Sequence, residues 1–291
     1  MLGSILLILF VFGLAIGSFL NVVALRYDGG ETAPLFSPRA IGGRSHCPHC
    51  GKTLRWYELV PLASWILQGG RCRTCGSGIG WRYPLAELVS GLIFVLVPLR
   101  ILAVTGGGAT LDTTLIVWLC FFWIVAFEAL FLMSLIDIRL GIIPDGLNLS
   151  LLVIALFFAI FLGGAFGPVN HSLFGTYAGV FGLQGNLWLN RAVGALFGGL
   201  FFGALIAGTK GKGMGMGDLK LAIPLGFLLG WPDILFATAA AFVIGAAVGL
   251  VTIAAGKKTM KASLPFGPFF ALGVMAVFFF GFEFLRWYLR I

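Results

Sequence analysis

Apolar residues run along this chain in long, nearly unbroken stretches, without the strict alternation of half-buried strands. Eight stretches stand out, at 2–25, 84–104, 112–136, 146–166, 191–209, 218–231, 234–256 and 264–289. A bilayer core of ~30 Å is crossed by ~20 helical residues, so each stretch is read as a spanning helix, with 218–231 the shortest. The pattern predicts an all-α polytopic membrane protein with about eight transmembrane helices. The first run, "MLGSILLILFVFGLAIGSFLNVVAL", has no basic residue before it and no small-residue cleavage site ahead of a polar chain. It is expected to be a retained helix and not a removed leader.

Composition agrees: 59% of residues are hydrophobic and 10% charged, which excludes an ordinary soluble domain. Placement of Lys and Arg sets the orientation. With 26–83 on the cytoplasmic side, fifteen basic residues gather there (Arg26, Arg39, Arg44, Lys52, Arg55, Arg71, Arg73, Arg82, Arg139, Lys210, Lys212, Lys220, Lys257, Lys258, Lys261). Four lie outside (Arg100, Arg191, Arg286, Arg290), and both termini are expected outside as well. The net charge of +8 is therefore mostly a topology signal, suited to anionic head groups of the bilayer and not to nucleic acid.

The chain divides into a first transmembrane helix (1–25), a cytoplasmic zinc-binding domain (26–83) inserted between helices 1 and 2, and a transmembrane remainder (84–291). Segment 26–83 holds "CPHC" (Cys47, Cys50) and "CRTC" (Cys72, Cys75), two Cys-x-x-Cys knuckles separated by 21 residues. That spacing brings four thiolates to one tetrahedral zinc ion. A pair of disulfides is the alternative, but stable disulfides are rare in the reducing cytoplasm. Four thiolates fill the shell, so the zinc is expected to be structural, holding together a segment too small for its own core. His46 and His49, beside the first knuckle, could replace a thiolate but fit solvent-facing loop positions better, and Cys120, alone in "VWLCFFW", is expected to be a small buried hydrophobe.

Of the eleven acids, Asp28, Glu31 and Glu58 belong to the polar segment, and Asp112 and Asp233 are assigned to outer span ends. Glu87, Glu128, Asp137, Asp145, Asp218 and Glu283 lie in or beside apolar runs, where a carboxylate is costly and marks a functional candidate. Asp137 closes "FEALFLMSLID", Asp218 follows "GMGMG", and both fall at cytoplasmic ends of their spans. Two carboxylates at one membrane depth suit aspartic-protease chemistry, one ionised as general base for water and one protonated as general acid. Glycines 211, 213, 215 and 217 let the chain bend and another backbone approach. Either Asp alone also fits a cap or interfacial role, and Asp145, after Pro144, fits a helix start.

Four stretches carry a resemblance: "GSFLNVVALR" (17–26), "RSHCPHCGKTLRWYELVPLASWILQGGRCRTCGSGIGWRYPLAELVSG" (44–91), "IDIRLGIIPD" (136–145) and "GMGMGDLKL" (213–221). Through them the chain, over nearly its full length, resembles the bacterial type IV prepilin peptidases, inner-membrane aspartic proteases that process type IV pilins and type II secretion pseudopilins. The resemblance implies that Asp137 and Asp218 are catalytic, with Asp145, Gly215, Gly217 and Lys220 supporting. It implies cleavage of a short basic leader after a glycine at the cytoplasmic face, freeing a hydrophobic helix usually headed by phenylalanine. It also implies N-methylation of the new terminus from S-adenosylmethionine, linked to the zinc-bearing segment near Glu58, Gly70 and Arg71. Within that segment the family's "EN-x-P" is "ELVP" here and its "GKC" is "GRC", which removes an amide and reshapes a cation.

The main rival reading is a transporter or channel whose membrane acids relay protons or bind cations; it predicts midplane acids and an internal repeat. A zinc-knuckle interaction module on a membrane anchor is a third, which leaves both aspartate motifs without use. Segment 167–190, almost uncharged, is assigned no role, and no oligomeric state is read from the sequence.

Overall fold

The computed structural model describes residues 2–29, 35, 41–105, 112–165, 183, 185–256 and 264–289. Among them every long element is a helix: α1 (Leu2–Arg26), the short α2 (Ala63–Leu67), α3 (Arg82–Val104), α4 (Thr113–Leu140), α5 (Asp145–Ala165), α6 (Leu187–Thr209), α7 (Met216–Leu229), α8 (Asp233–Ala254) and α9 (Gly267–Leu289). Arg39, Lys257, Lys258, Lys261, Arg290, Glu31 and most of segment 167–190 lie outside the described residues.

Among the described residues six helices are long and apolar enough to cross a membrane: α1, α3, α4, α6, α8 and the Gly267–Phe284 part of α9. In α5 the apolar stretch Asp145–Phe161 is shorter. The 14 residues of α7 reach only about 21 Å at 1.5 Å per residue. Helix ends differ from the apolar runs for local reasons. Arg139 is polar but helical, so α4 continues to Leu140 and takes Asp137 into its last turns. Asn186 caps α6 by accepting the Leu189 N–H at 3.1 Å, which starts that helix four residues before the expected 191.

The chain forms two compact units, Met1–Glu128 and Ala129–Ile291. In the first, α1 and α3 pack at backbone distance. A Cβ on Gly13 would fall 2.8 Å from the Gly91 Cα, and one on Gly17 would fall 2.7 Å from the Ser90 Cβ, so only glycine fits this contact. The fully buried Ser90 hydroxyl lies 2.7 Å from the Gly13 carbonyl and 2.9 Å from Glu128 Oε1, tying three helices together. Glu87 accepts the Leu62 N–H at 2.8 Å. These two acids thus meet a hydroxyl and a backbone amide.

In the second unit α6 lies against α7 through Gly194, Gly198 and Gly226, each beside backbone of the facing helix. The turn from α7 to α8 is locked by Asn190, whose amide donates to the Trp231 carbonyl at 2.5 Å and whose carbonyl accepts the Trp231 N–H at 3.1 Å. Arg191, near the start of α6, and Asp233, the first residue of α8, are buried at 2% and 0% exposure and interact electrostatically. Arg191 also donates to the Phe227 carbonyl at 3.3 Å and lies over the Phe158 ring. The physical reason is mutual: each charge makes the other tolerable inside a low-dielectric bundle, and removing one partner of such a pair costs roughly 3–5 kcal/mol.

Candidate functional site

Asp137 sits within the last turns of α4, only 5% exposed. The helix ends three residues on because Gly141 takes φ 67° and donates its N–H to the Asp137 carbonyl at 2.8 Å. The Asp137 carboxylate accepts the Gly267 N–H at 2.9 Å, a buried bond between residues 130 positions apart. Gly267 is the first residue of α9 and lies in "LPFGPF", so the carboxylate meets a helix N-terminus, where backbone donors and the helix dipole favour negative charge. The approach leaves no room for a side chain: a Cβ on Gly267 would lie 2.7 Å from Asp137 Oδ2 and 2.6 Å from the Met133 sulfur.

Asp218 lies in the first turn of α7, half-buried. Gly215 is the N-cap; its N–H donates to Asp218 Oδ2 at 3.2 Å, while the Asp218 N–H donates to the Gly215 carbonyl at 3.2 Å. This is the reach-back half of a capping box. The chain arrives there from α6 through Lys210 and Gly211, both in the left-handed region at φ 52° and 73°. Gly217 lies close against Ile143: a Cβ there would fall 3.2 Å from the Ile143 Cβ. The α4–α5 turn therefore abuts the start of α7. Asp137 and Asp218 lie near enough for their charges to interact.

Asp145 opens α5, as Pro144 before it implied, and is exposed. Its two carboxylate oxygens accept from the Lys220 ammonium at 2.9 and 2.8 Å, which fastens the start of α5 to the first turns of α7. Asp145, Gly217 and Lys220 thus brace the turn that carries Asp218.

The four cysteines Cys47, Cys50, Cys72 and Cys75 converge, with all sulfurs within 4.8 Å of one another. The Cys47 and Cys75 sulfurs are 3.9 Å apart, close to the edge of a tetrahedron of thiolates at ~2.3 Å from a metal, about 3.8 Å. A disulfide needs ~2.05 Å, and all four thiols are free. Both knuckles use one local design. Gly51 and Gly76, each following the second cysteine, take φ 70° and 71° and donate to the carbonyls of Cys47 and Cys72 at 2.9 Å. The Ser77 hydroxyl and amide push the Cys75 thiol down to about 6 and the amides of Cys50 and His49 lower Cys47, whereas, against the Lys52 amide, burial and the neighbouring thiols push Cys50 up to about 11. His46 and His49 are exposed, and Cys120 is half-buried.

Glu58 is buried between the knuckles. It accepts the Arg55 N–H at 2.8 Å and pairs with Lys52 at 3.6 Å. The Arg55 amide first, then Lys52 and Arg73, hold its carboxyl below the usual carboxylate range. Arg73 also covers the Tyr57 ring at 5.2 Å. Gly70, at φ 66°, lies under Trp65, whose indole donates to the Ile79 carbonyl at 3.0 Å; Arg71 is exposed. Sequence reasoning passed over Gly267. The available signal was the "PFGP" tetrapeptide, a glycine between prolines at the mouth of an apolar run.

Residues 11–101 match the Bacterial Peptidase A24 N-terminal domain, and residues 124–250 match the Type IV leader peptidase family. Three similar proteins each carry the name prepilin leader peptidase/N-methyltransferase. That of Burkholderia pseudomallei (strain 1026b) is 38% identical over 290 residues, covering 93% of this chain and 84% of its own. That of Aeromonas hydrophila is 31% identical, covering 97% and 93%, and that of Bacillus subtilis (strain 168) is 32% identical, covering 97% of each. No solved structure matches significantly.

Proposed function

Because the chain belongs to the bacterial type IV leader peptidase family, we propose that it is a multi-pass aspartic endopeptidase of prepilins and pseudopilins in which Asp137 and Asp218 act as one coupled pair. Like charges in one low-dielectric site resist joint ionisation, so a proton is shared: one carboxylate takes a proton from water and the other gives one to the scissile carbonyl. Roles belong to the pair and not to either residue. What carries this reading is the convergence of the end of α4 with the start of α7, which leaves two carboxylates within electrostatic reach, each held by one backbone N–H. Fixed donors of this kind orient the oxygens before substrate arrives.

The fifteen-to-four asymmetry of basic residues supports a cytoplasmic placement of both aspartates in a bacterial inner membrane, with eight spans once α5 and the short α7 are counted. The division into residues 1–25, 26–83 and 84–291 follows the same logic, the last being the peptidase portion. The four-cysteine cluster fits a structural Zn2+ best, because four thiolates close the coordination shell. The relatives' names add N-methyl transfer. For that second activity, S-adenosylmethionine binds near Glu58, Gly70 and Arg71; Glu58 and Gly70 shape the segment, and the exposed Arg71 guanidinium suits the donor's carboxylate.

The test is leader removal from a prepilin in proteoliposomes by wild type, Asp137→Asn and Asp218→Asn, read by mass spectrometry. Loss in both variants with helix content unchanged supports the pair; full cleavage by either one rules it out.

A further inference from the structure

The cysteine segment carries an apolar surface that its own core does not use. Trp56, Leu59, Val60, Ile66 and Leu67 are all exposed, Trp56 and Leu67 at 79%. The turn presenting them is strained. Leu62 takes φ 57° and ψ −52°, and Ala63 donates its N–H to the Pro61 carbonyl at 2.6 Å, a γ-turn that non-glycine residues rarely adopt. It is held from the neighbouring helix: the Leu62 N–H donates to Glu87 Oε2 at 2.8 Å, and Glu87 is buried on α3.

That bond sets a depth. Glu87 lies five residues beyond Arg82, the first residue of α3, which is about 7 Å along the helix axis. Trp81, Arg82 and Tyr83 are the residue types that mark a membrane–water boundary. The short helix α2 therefore starts about one helical turn below that boundary, at the depth where interfacial helices bury their apolar faces, ~5–10 Å into the headgroup–acyl border. Charge points the same way. Arg44, Arg55, Arg73 and Arg82 are exposed, whereas Glu58, the one acid between residues 41 and 83, is buried.

We propose that residues 56–67 are an interfacial anchor, with Trp56, Leu59, Val60, Ile66 and Leu67 seated in an anionic phospholipid leaflet and the arginines on its phosphates. The four-cysteine cluster is then pinned against the bilayer and is not suspended in the aqueous phase. The anchor stands independently of which aspartates cut.

The test uses the full-length chain in nanodiscs containing phosphatidylglycerol. The photoreactive residue p-benzoylphenylalanine replaces Ile66, Leu67, Thr74 of the second knuckle, or Val243, which is 69% exposed on α8. After irradiation, mass spectrometry should find phospholipid adducts at 66, 67 and 243 and several-fold less at 74. Adducts at 243 with none at 66 and 67 overturn the proposal. Cross-links from 67 to a second copy of the chain, or to added prepilin, in place of lipid also overturn it and identify the true occupant. All four positions are partly or fully exposed, so none of the replacements disturbs a packed core.

Discussion

The knuckles and the aspartates are both pairs, yet they are built in opposite ways. Each knuckle is written locally: Cys-x-x-Cys-Gly, with the glycine at φ 70° or 71° and its N–H on the first cysteine's carbonyl at 2.9 Å. The aspartates share no such code. Asp218 takes a donor from Gly215, three positions away, whereas Asp137 takes one from Gly267, 130 positions away, inside the packed second unit. A metal supplies its own ordering energy and needs only ligands at suitable spacing. Two carboxylates gain nothing from meeting each other, so the fold must force them together, and that rigidity is what acid–base chemistry requires.

The comparison breaks most visibly at the carboxylates themselves. Asp137→Asn and Asp218→Asn are each expected to lower leader cleavage by about 10²–10⁴-fold, the usual worth of general acid–base catalysis. If the two act as the proposed unit, the double variant should be little worse than either single one. Additive losses in single-turnover assays would show that the two residues work separately.

Next in size is Gly267→Ala. The new Cβ would lie 2.7 Å from Asp137 Oδ2 and 2.6 Å from the Met133 sulfur, so the carboxylate has to move. A misplacement of ~1 Å at a reacting group is worth about 10²-fold, and the loss should fall on kcat with KM nearly unchanged. Adding Met133→Ala frees the sulfur side only. If that second change restores turnover, the clash lay with methionine and Asp137 owes nothing to the Gly267 amide.

What could be read from the sequence follows this same division. The knuckles and the aspartate motifs were legible because each is a short pattern with its own chemistry, and so was α5 starting at Asp145 behind Pro144. Gly267 was not, because a glycine before an apolar run looks like any other until the carboxylate it serves is placed beside it. Arg191 and Asp233 do stand near the starts of α6 and α8, but their burial was not legible, because only tertiary contact shows that the two charges lie together out of solvent. Helix ends shifted wherever a polar residue stayed helical, as Arg139 does in α4.

A smaller effect on cleavage is expected from the knuckles. Replacing Cys47, Cys50, Cys72 and Cys75 with serine should abolish metal binding, which in the intact chain is expected at about one ion per chain. Limited proteolysis should then open residues 41–83 while the second unit stays protected. Cleavage should survive within about tenfold, since neither aspartate draws on that segment for its backbone donor. Loss as complete as in Asp137→Asn would erase the contrast between the two regions.

The smallest change belongs to the Asp145–Lys220 pair, which is charged and bidentate but open to water, at 71% and 49% side-chain exposure. Exposed pairs contribute at most ~1 kcal/mol, about a fivefold effect, so Asp145→Asn or Lys220→Gln should reduce cleavage only a few-fold. Screening offers a second reading of the same bond: raising salt from 0.05 to ~0.5 M should slow the wild type toward the variants and leave the variants themselves unmoved. The exchange Asp145→Lys with Lys220→Asp keeps the attraction between α5 and α7 and should recover most of the rate. If it does not, while each single neutral variant has cost far more than fivefold, then Asp145 acts on substrate directly and belongs with Asp137 and Asp218, not with the brace that holds them.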